Sequence, residues 1–226
     1  LQNAPEILCK DSDKNSRERS QRQFAKNVHH VFSAMSHAPK RLFIFSAPSG
    51  AGKTTIAKHI LAKYDFMRFS ISATTRKRRE KETHGKDYYF LSVEEFEQAI
   101  ERGDLAEYEH IFGNYYGTLK SEIQSALADG KSLVFDIDVK GALSLQRTYP
   151  DESLLIFVAP PSMETLAKRL SERNTESEEQ LKLRLARAEM EMAQQNRFDE
   201  VIVNDDLENA FAAARNLVER YAFQRA

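Results

Sequence analysis

The chain has 226 residues, 41% of them hydrophobic, enough to bury one substantial α/β core and too few to make a second independent domain the natural reading. Its formal net charge of −1 supplies no overall field that would draw nucleic acid or an anionic membrane surface, so only local basic clusters carry such information. The single cysteine, Cys9, excludes an intrachain disulfide framework and a cysteine-rich metal site; no apolar stretch reaches the ~18 residues of a membrane helix or forms a secretory signal, so a soluble cytoplasmic protein is expected.

Residues 1–40 read as a polar extension. The run Lys10 to Arg19 is charged, with little to bury, and a short helix over Val28 to Met35 is the one element the segment could supply. Glu6, Asp11, Asp13 and Glu18 argue against a transit peptide. The domain starts at residue 41, where the apolar run Leu42 to Phe45 predicts a buried strand leading into Ala47-Pro48-Ser49-Gly50-Ala51-Gly52-Lys53-Thr54. A strand, a Gly-rich turn and a helix in succession are the context of a phosphate-binding P-loop. There, backbone N–H groups and a helix N-terminus surround polyphosphate oxygens. Lys53 would reach the terminal phosphates and Thr54 would help hold Mg²⁺; Ala47 stands where the strict pattern has Gly.

Further strands are predicted at Phe66 to Ile71, Leu133 to Ile137, Leu154 to Val158 and Val201 to Val203. Helices alternate with them. Ser92 with Glu95 forms a capping box before Phe96 and Ile100, and Thr118 is the expected cap of a helix running through Leu127 to a stop at Asp129-Gly130. Ser162 is expected to cap a helix bearing Met163, Leu166, Ala167 and Leu170, and Ser177 with Gln180 begins one through Leu181 and Leu185. Asp206 precedes a last helix with Phe211, Ala214, Leu217, Val218 and Tyr221. This alternation predicts a parallel sheet covered on both faces.

Between these elements lie residues suited to phosphate chemistry. Ser70 to Arg79 combines hydroxyls with guanidinium groups and leads to Gly85-Lys86-Asp87-Tyr88-Tyr89-Phe90, a set that suits a monophosphate through bidentate Arg contacts completed by hydroxyl donors. Alone, a run such as Arg76 to Arg79 is more often a solvated surface or a polyanion patch than a monophosphate site. Asp136 and Asp138 are two apart at the carboxyl end of a predicted strand and share one side of it, where open α/β sheets gather ligands; capping the next helix is the competing role. Arg169 and Arg173, four apart, and Arg184 and Arg187, three apart, each share a helix face; beside a P-loop such a face can close over ATP and steady a transferring phosphoryl group. His29, His30, His37, His59, His84 and His110 show no metal-ligand spacing.

The P-loop, Ser72-Ala73-Thr74-Thr75-Arg76, Gly113-Asn114-Tyr115-Tyr116-Gly117, Asp136-Ile137-Asp138 and Val201-Ile202-Val203-Asn204-Asp205-Asp206 follow one another in the order found in guanylate kinases, and the chain resembles that family over almost all of residues 41–226. The resemblance implies an α/β fold, a P-loop NTPase-type parallel sheet flanked by helices. Its core would span about 41–71, 129–160 and 195–226, with an inserted α+β GMP-binding subdomain at about 72–128 and a helical lid at about 161–194. It implies transfer of the γ-phosphoryl group of ATP to GMP and dGMP in purine nucleotide metabolism, with Mg²⁺ as cofactor and neither nucleic acid nor membrane as partner.

By the same resemblance, Ala47 to Thr55, Arg169 and Arg173 bind ATP, with Lys53, Arg79, Arg173 and Arg184 serving the chemistry. Ser72, Arg76, Arg79, Tyr88 and Tyr116 take the GMP phosphate, Glu107 and Thr118 recognise guanine, Asp138 serves the GMP side, and Thr54 and Asp136 serve the metal. The guanine assignment has independent chemistry: guanine presents adjacent N1–H and N2–H donors that one carboxylate can accept together, and adenine does not. Arg78 and Lys81 stand where the family commonly has Pro and Gly, and Ala47 is a frequent family variant. Competing readings are a related kinase for another nucleoside monophosphate, opposed by Glu107, and a phosphopeptide-binding module with a decayed ATP site, opposed by Gly52, Lys53 and Thr54.

Overall fold

The structure, a computed structural model, describes residues 39–111, 113–172 and 178–223. The expected helix at Val28 to Met35, the arginine Arg173 and the cap Ser177 lie outside the described residues. At the centre is β1 (Leu42–Ser46), buried along its whole length. Its side chains alternate: Phe43 and Phe45 enter one hydrophobic layer, Leu42 and Ile44 the other. A strand covered on both faces needs apolar residues at every position, which is why the run shows no polar alternation.

Strand β1 pairs in parallel with β7 (Ser132–Asp136) on one side and β8 (Ser153–Ala159) on the other. Adding β2 (Met67–Phe69) and β9 (Glu200–Val203) gives a five-stranded parallel sheet in the order β2-β7-β1-β8-β9. Helices α1 (Lys53–Lys63) and α7 (Leu207–Ala222) cover the Phe43 face through Ile56, Ile60, Ala214 and Val218. Helices α3 (Lys120–Ala128) and α4 (Val139–Thr148) cover the other through Ile123, Ala126, Ala142 and Leu145. Each fully buried Phe, Leu or Ile side chain contributes about 1.5–3 kcal/mol, so the two layers outweigh any local propensity.

A second sheet, ordered β4-β3-β6-β5, is built from β3 (Ala73–Thr74), β4 (Tyr89–Phe90), β5 (Leu105–Ile111) and β6 (Asn114–Leu119). Helix α2 (Val93–Glu101) seals it by packing Phe96 and Ala99 against Ala73 and Leu105. The remaining pair, α5 (Met163–Ser171) and α6 (Glu178–Met192), meets through Leu166, Leu170 and Ala188.

The expected caps are present at Ser92, which forms the full capping box with Glu95, and at Ser162 and Asp206, which accept from the amides of Thr165 and Asn209. Thr118 is the exception. Helix α3 starts at Lys120 without a side-chain cap, and Thr118 lies in β6 with its hydroxyl committed to Glu107 across the sheet. The helix takes Leu119 as its N-cap, one residue later than expected, so Thr118 belongs to the strand and its hydroxyl donates to a buried carboxylate that would be costly to leave without this partner.

Candidate active site

The P-loop spans the turn from β1 to α1. Gly50 (φ 92°) and Gly52 (φ 96°) both adopt left-handed backbone, which side chains oppose. At Gly52 a Cβ would also lie 2.2 Å from Asn204 Nδ2, so no larger residue fits without displacing Asn204. Asn204 holds the loop: its Nδ2 donates to the buried Ala51 carbonyl at 2.7 Å, and its own carbonyl accepts from Arg169 Nη2 at 3.0 Å. The end of β9 thus fixes the back of the phosphate loop.

The β1–β7 register places Phe45 beside Asp136, so the carboxyl ends of both strands open side by side. Lys53 Nζ donates to the Ile137 carbonyl at 2.7 Å and pairs with Asp136 Oδ1 at 2.7 Å. Thr54 Oγ1 donates to Asp136 Oδ2 at 2.5 Å. Around this knot lies a cavity of about 370 Å³, lined by Ala47 to Gly50, Gly52 to Thr55, Asp136, Asp138, Arg184, Arg187 and Glu191. Arg184 Nη1 reaches Ser49 Oγ at 3.4 Å. Arg169 is drawn instead to the Asn204 carbonyl, behind the loop.

A second cavity, about 500 Å³, opens on the other side of the same residues, with Thr54 and Asp136 shared and Ser72, Lys86 and Tyr88 opposite. Arg76 stands over the Tyr88 ring at 5.3 Å, and Tyr88 meets Tyr116 edge-on at 6.3 Å. Glu82 organises the loop between them, accepting from Arg76 at 2.8 and 3.1 Å and from the Arg79 amide at 2.8 Å, while Arg78 grips the Glu82 carbonyl at 3.0 Å. The hydrogen bond from Arg76 pulls the Glu82 carboxyl below its usual range and raises the guanidinium in turn. Burial pushes the Tyr88 phenol up. Arg79 itself is exposed and lines neither cavity.

Glu107 and Thr118 meet in the interior: Thr118 Oγ1 donates to Glu107 Oε1 at 2.7 Å, and Glu107 is 6% exposed. Burial lifts the Glu107 carboxyl to about 7, with the Thr118 hydrogen bond opposing that rise and the charges of Asp138 and Glu109 adding to it. Of the two roles open to Asp138 from sequence, helix capping is the one observed. Its Oδ1 caps α4 by accepting from the Gly141 amide at 2.8 Å, and its Oδ2 accepts from Arg187 Nη2 at 3.1 Å. Arg187 also donates from Nε to Glu191 Oε1 at 2.8 Å, and burial raises the Glu191 carboxyl.

Glu191, Asn204 and the Arg187–Asp138 pair had no assigned role in sequence. Arg187 is reached through its spacing from Arg184, but its partner Asp138 lies 49 positions away, and Asn204 contacts a residue 153 positions away. Among the described residues no group of three or more His, Cys, Asp or Glu could hold a metal alone. The Thr54 hydroxyl and Asp136 carboxylate nevertheless suit Mg²⁺, which takes hard oxygen donors, keeps several waters and completes its shell with substrate phosphates.

A parallel sheet ending in a phosphate loop, with two cavities meeting at Thr54 and Asp136, defines an α/β P-loop protein of the kinase class. The chain belongs to the guanylate kinase family, whose model matches residues 39–221. It is similar to the guanylate kinase of Chlorobium luteolum, with 54% identity over 173 residues covering 76% of this chain and 88% of the relative. The guanylate kinase of Salinibacter ruber is 51% identical over 172 residues, covering 76% and 91%. The crystal structure of guanylate kinase from Anaplasma phagocytophilum is similar in fold, with a TM-score of 0.64 and 28% identity, covering 84% of this chain and 90% of that one.

Proposed function

We infer that this chain transfers the γ-phosphoryl group of ATP to GMP, giving ADP and GDP, and accepts dGMP in the same way. One observation carries the reading: the P-loop cavity and the Ser72–Tyr88 cavity share Thr54 and Asp136 as a common wall, so donor and acceptor phosphates can face each other there. In-line transfer breaks the bond from the γ-phosphorus to the β–γ bridging oxygen and forms one to a GMP phosphate oxygen, with no covalent enzyme intermediate. Catalysis then rests on positioning and charge.

In this reading residues 47–55 and Lys53 hold the ATP phosphates. Ser72, Arg76, Arg79, Tyr88 and Tyr116 hold the GMP phosphate, Glu107 and Thr118 read guanine, and Asp138 steadies that side. Arg184 is already within reach of Ser49 in the loop, which supports its role in stabilising the transferring group; Arg173 shares that role, and Arg169 acts on ATP through the loop it buttresses. Arg79 must swing inward from its exposed position when the phosphate binds. Bound Mg²⁺, held by Thr54 and through water by Asp136, would neutralise charge on the ATP phosphates.

Residues 72–128 act as the acceptor subdomain and 161–194 as a lid that excludes water, on a core of about 41–71, 129–160 and 195–226. Among the described residues no helix is long and apolar enough to cross a membrane, and the ATP requirement suits a cytoplasmic setting. Incubation with γ-labelled ATP and GMP tests the reaction: label should appear in GDP, be lost in Lys53→Met, and never reside on the protein. A kinetically competent phosphoprotein would refute direct transfer.

A further inference from the structure

Gly141 lies in the first turn of α4, on its buried face, where the backbone is ordinary right-handed helix. Nothing in that backbone asks for glycine, and alanine is the better helix former there. What the site uses is the missing side chain. A Cβ on Gly141 would sit 2.9 Å from Glu107 Oε2 and 3.2 Å from Asp138 Oδ1. Restoring an ordinary contact of 3.4 Å would require the carboxylate to retreat by about 0.5 Å.

The retreat would fall on the carboxylate, since its nearest atom is the free end of a side chain and the helix is packed through Val139, Ala142 and Leu145. Glu107 has little freedom to absorb it. Its Oε1 is tied to Thr118 at 2.7 Å, and its backbone is closely packed against Gly117, where a Cβ would come within 2.8 Å of the Glu107 carbonyl. A carboxylate reading N1–H and N2–H together must present both oxygens in one plane, and hydrogen bonds weaken steeply once that alignment is lost.

We propose that Gly141 is a specificity-determining positioning residue, which leaves the space that lets the Glu107 carboxylate face guanine and so sets acceptor choice without touching the nucleotide. The proposal rests on the reading of Glu107 as the guanine-recognising group. It is tested in the full chain by Gly141→Ala, Glu107→Ala and the double variant, measuring KM for GMP and for ATP, kcat, and the thermal midpoint.

Gly141→Ala should raise the GMP KM about 10- to 100-fold, the cost of misaligning a charge-assisted hydrogen bond, with the ATP KM within about twofold and a cooperative thermal transition showing the protein still folded. In the Glu107→Ala background the same substitution should change the GMP KM by less than about twofold, because the group it displaces is gone. An unchanged GMP KM in Gly141→Ala, or an equal rise in both backgrounds, would overturn the proposal and assign the effect to the helix or Asp138. Equal GMP KM values for wild type and Glu107→Ala would instead refute guanine reading by Glu107, and the proposal with it.

Discussion

If the Glu107 carboxylate reads guanine, GMP binding must weaken as that carboxylate gains a proton. Burial raises the group to about 7, against an ordinary 4.5, so the ionised form that accepts both guanine donors is in the minority below neutrality. For a ligand that requires the ionised form, the apparent KM scales as one plus the ratio of protonated to ionised carboxyl. That factor is about 1.1 at pH 8 and about 11 at pH 6, a tenfold weakening across the interval. The GMP phosphate itself has an ionisation near 6 that moves the same way, so wild-type data alone do not separate the two. Glu107→Gln separates them: it keeps shape and an acceptor for Thr118 but cannot ionise, so its remaining pH dependence belongs to substrate. Steady-state ADP release at saturating ATP, with GMP varied at each pH from 6 to 8, should show a wild-type KM profile about tenfold steeper than that of Glu107→Gln. Parallel profiles for the two proteins would refute the reasoning.

The same raised group has a folding consequence of definite sign. Because the folded state holds this proton more tightly than the unfolded chain, wild type loses stability as pH rises from about 4.5 to 7, and the cost is fully present above 7. Glu107→Gln should therefore be more stable than wild type by about 3 kcal/mol at pH 8 and equal to it near pH 4 in urea unfolding. Gly52→Ala should abolish ATP binding and lower the thermal midpoint, since φ 96° and a Cβ 2.2 Å from Asn204 Nδ2 leave no relaxed alternative; retained ATP affinity in a calorimetric titration would count against the loop account. Lys53→Met should reduce kcat by about 10²–10³-fold with the fold intact by circular dichroism, through loss of the cation beside the phosphates. Arg187→Ala should lower kcat/KM for GMP by about fivefold to tenfold, the size expected for a partly exposed charged pair, with partial recovery in Arg187→Lys; full activity in Arg187→Ala would show that Asp138 needs no help from α6.

The legible parts of this fold were those whose cause is local. An unbroken apolar run means a strand covered twice, and Leu42 to Phe45 is one; the caps at Ser92, Ser162 and Asp206 follow from side chains that bond three residues ahead. The second sheet had no such signal, because β3 and β4 are two residues long and are held by cross-strand partners distant in sequence. Thr118 shows the same limit from the other side: its local setting points to a helix cap, and cross-strand pairing with Glu107, eleven residues away, keeps it in β6. In the site, the P-loop residues and Asp136 were readable because strand pairing brings them together at two adjacent carboxyl ends. The Asn204–Ala51 contact and the Asp138–Arg187–Glu191 chain were not, since each joins elements that only the packed fold brings together. Arg79 was named as a phosphate ligand and lies exposed, as a long cation does until an anion repays its desolvation.

Acceptor choice tests the central claim most directly. ADP release measured with GMP, dGMP, AMP, UMP and CMP in turn, at fixed ATP and Mg²⁺, should give the highest kcat/KM with GMP and none of comparable size with AMP, UMP or CMP. A higher kcat/KM with AMP than with GMP, or no GMP-dependent ADP formation by well-folded protein, would contradict it.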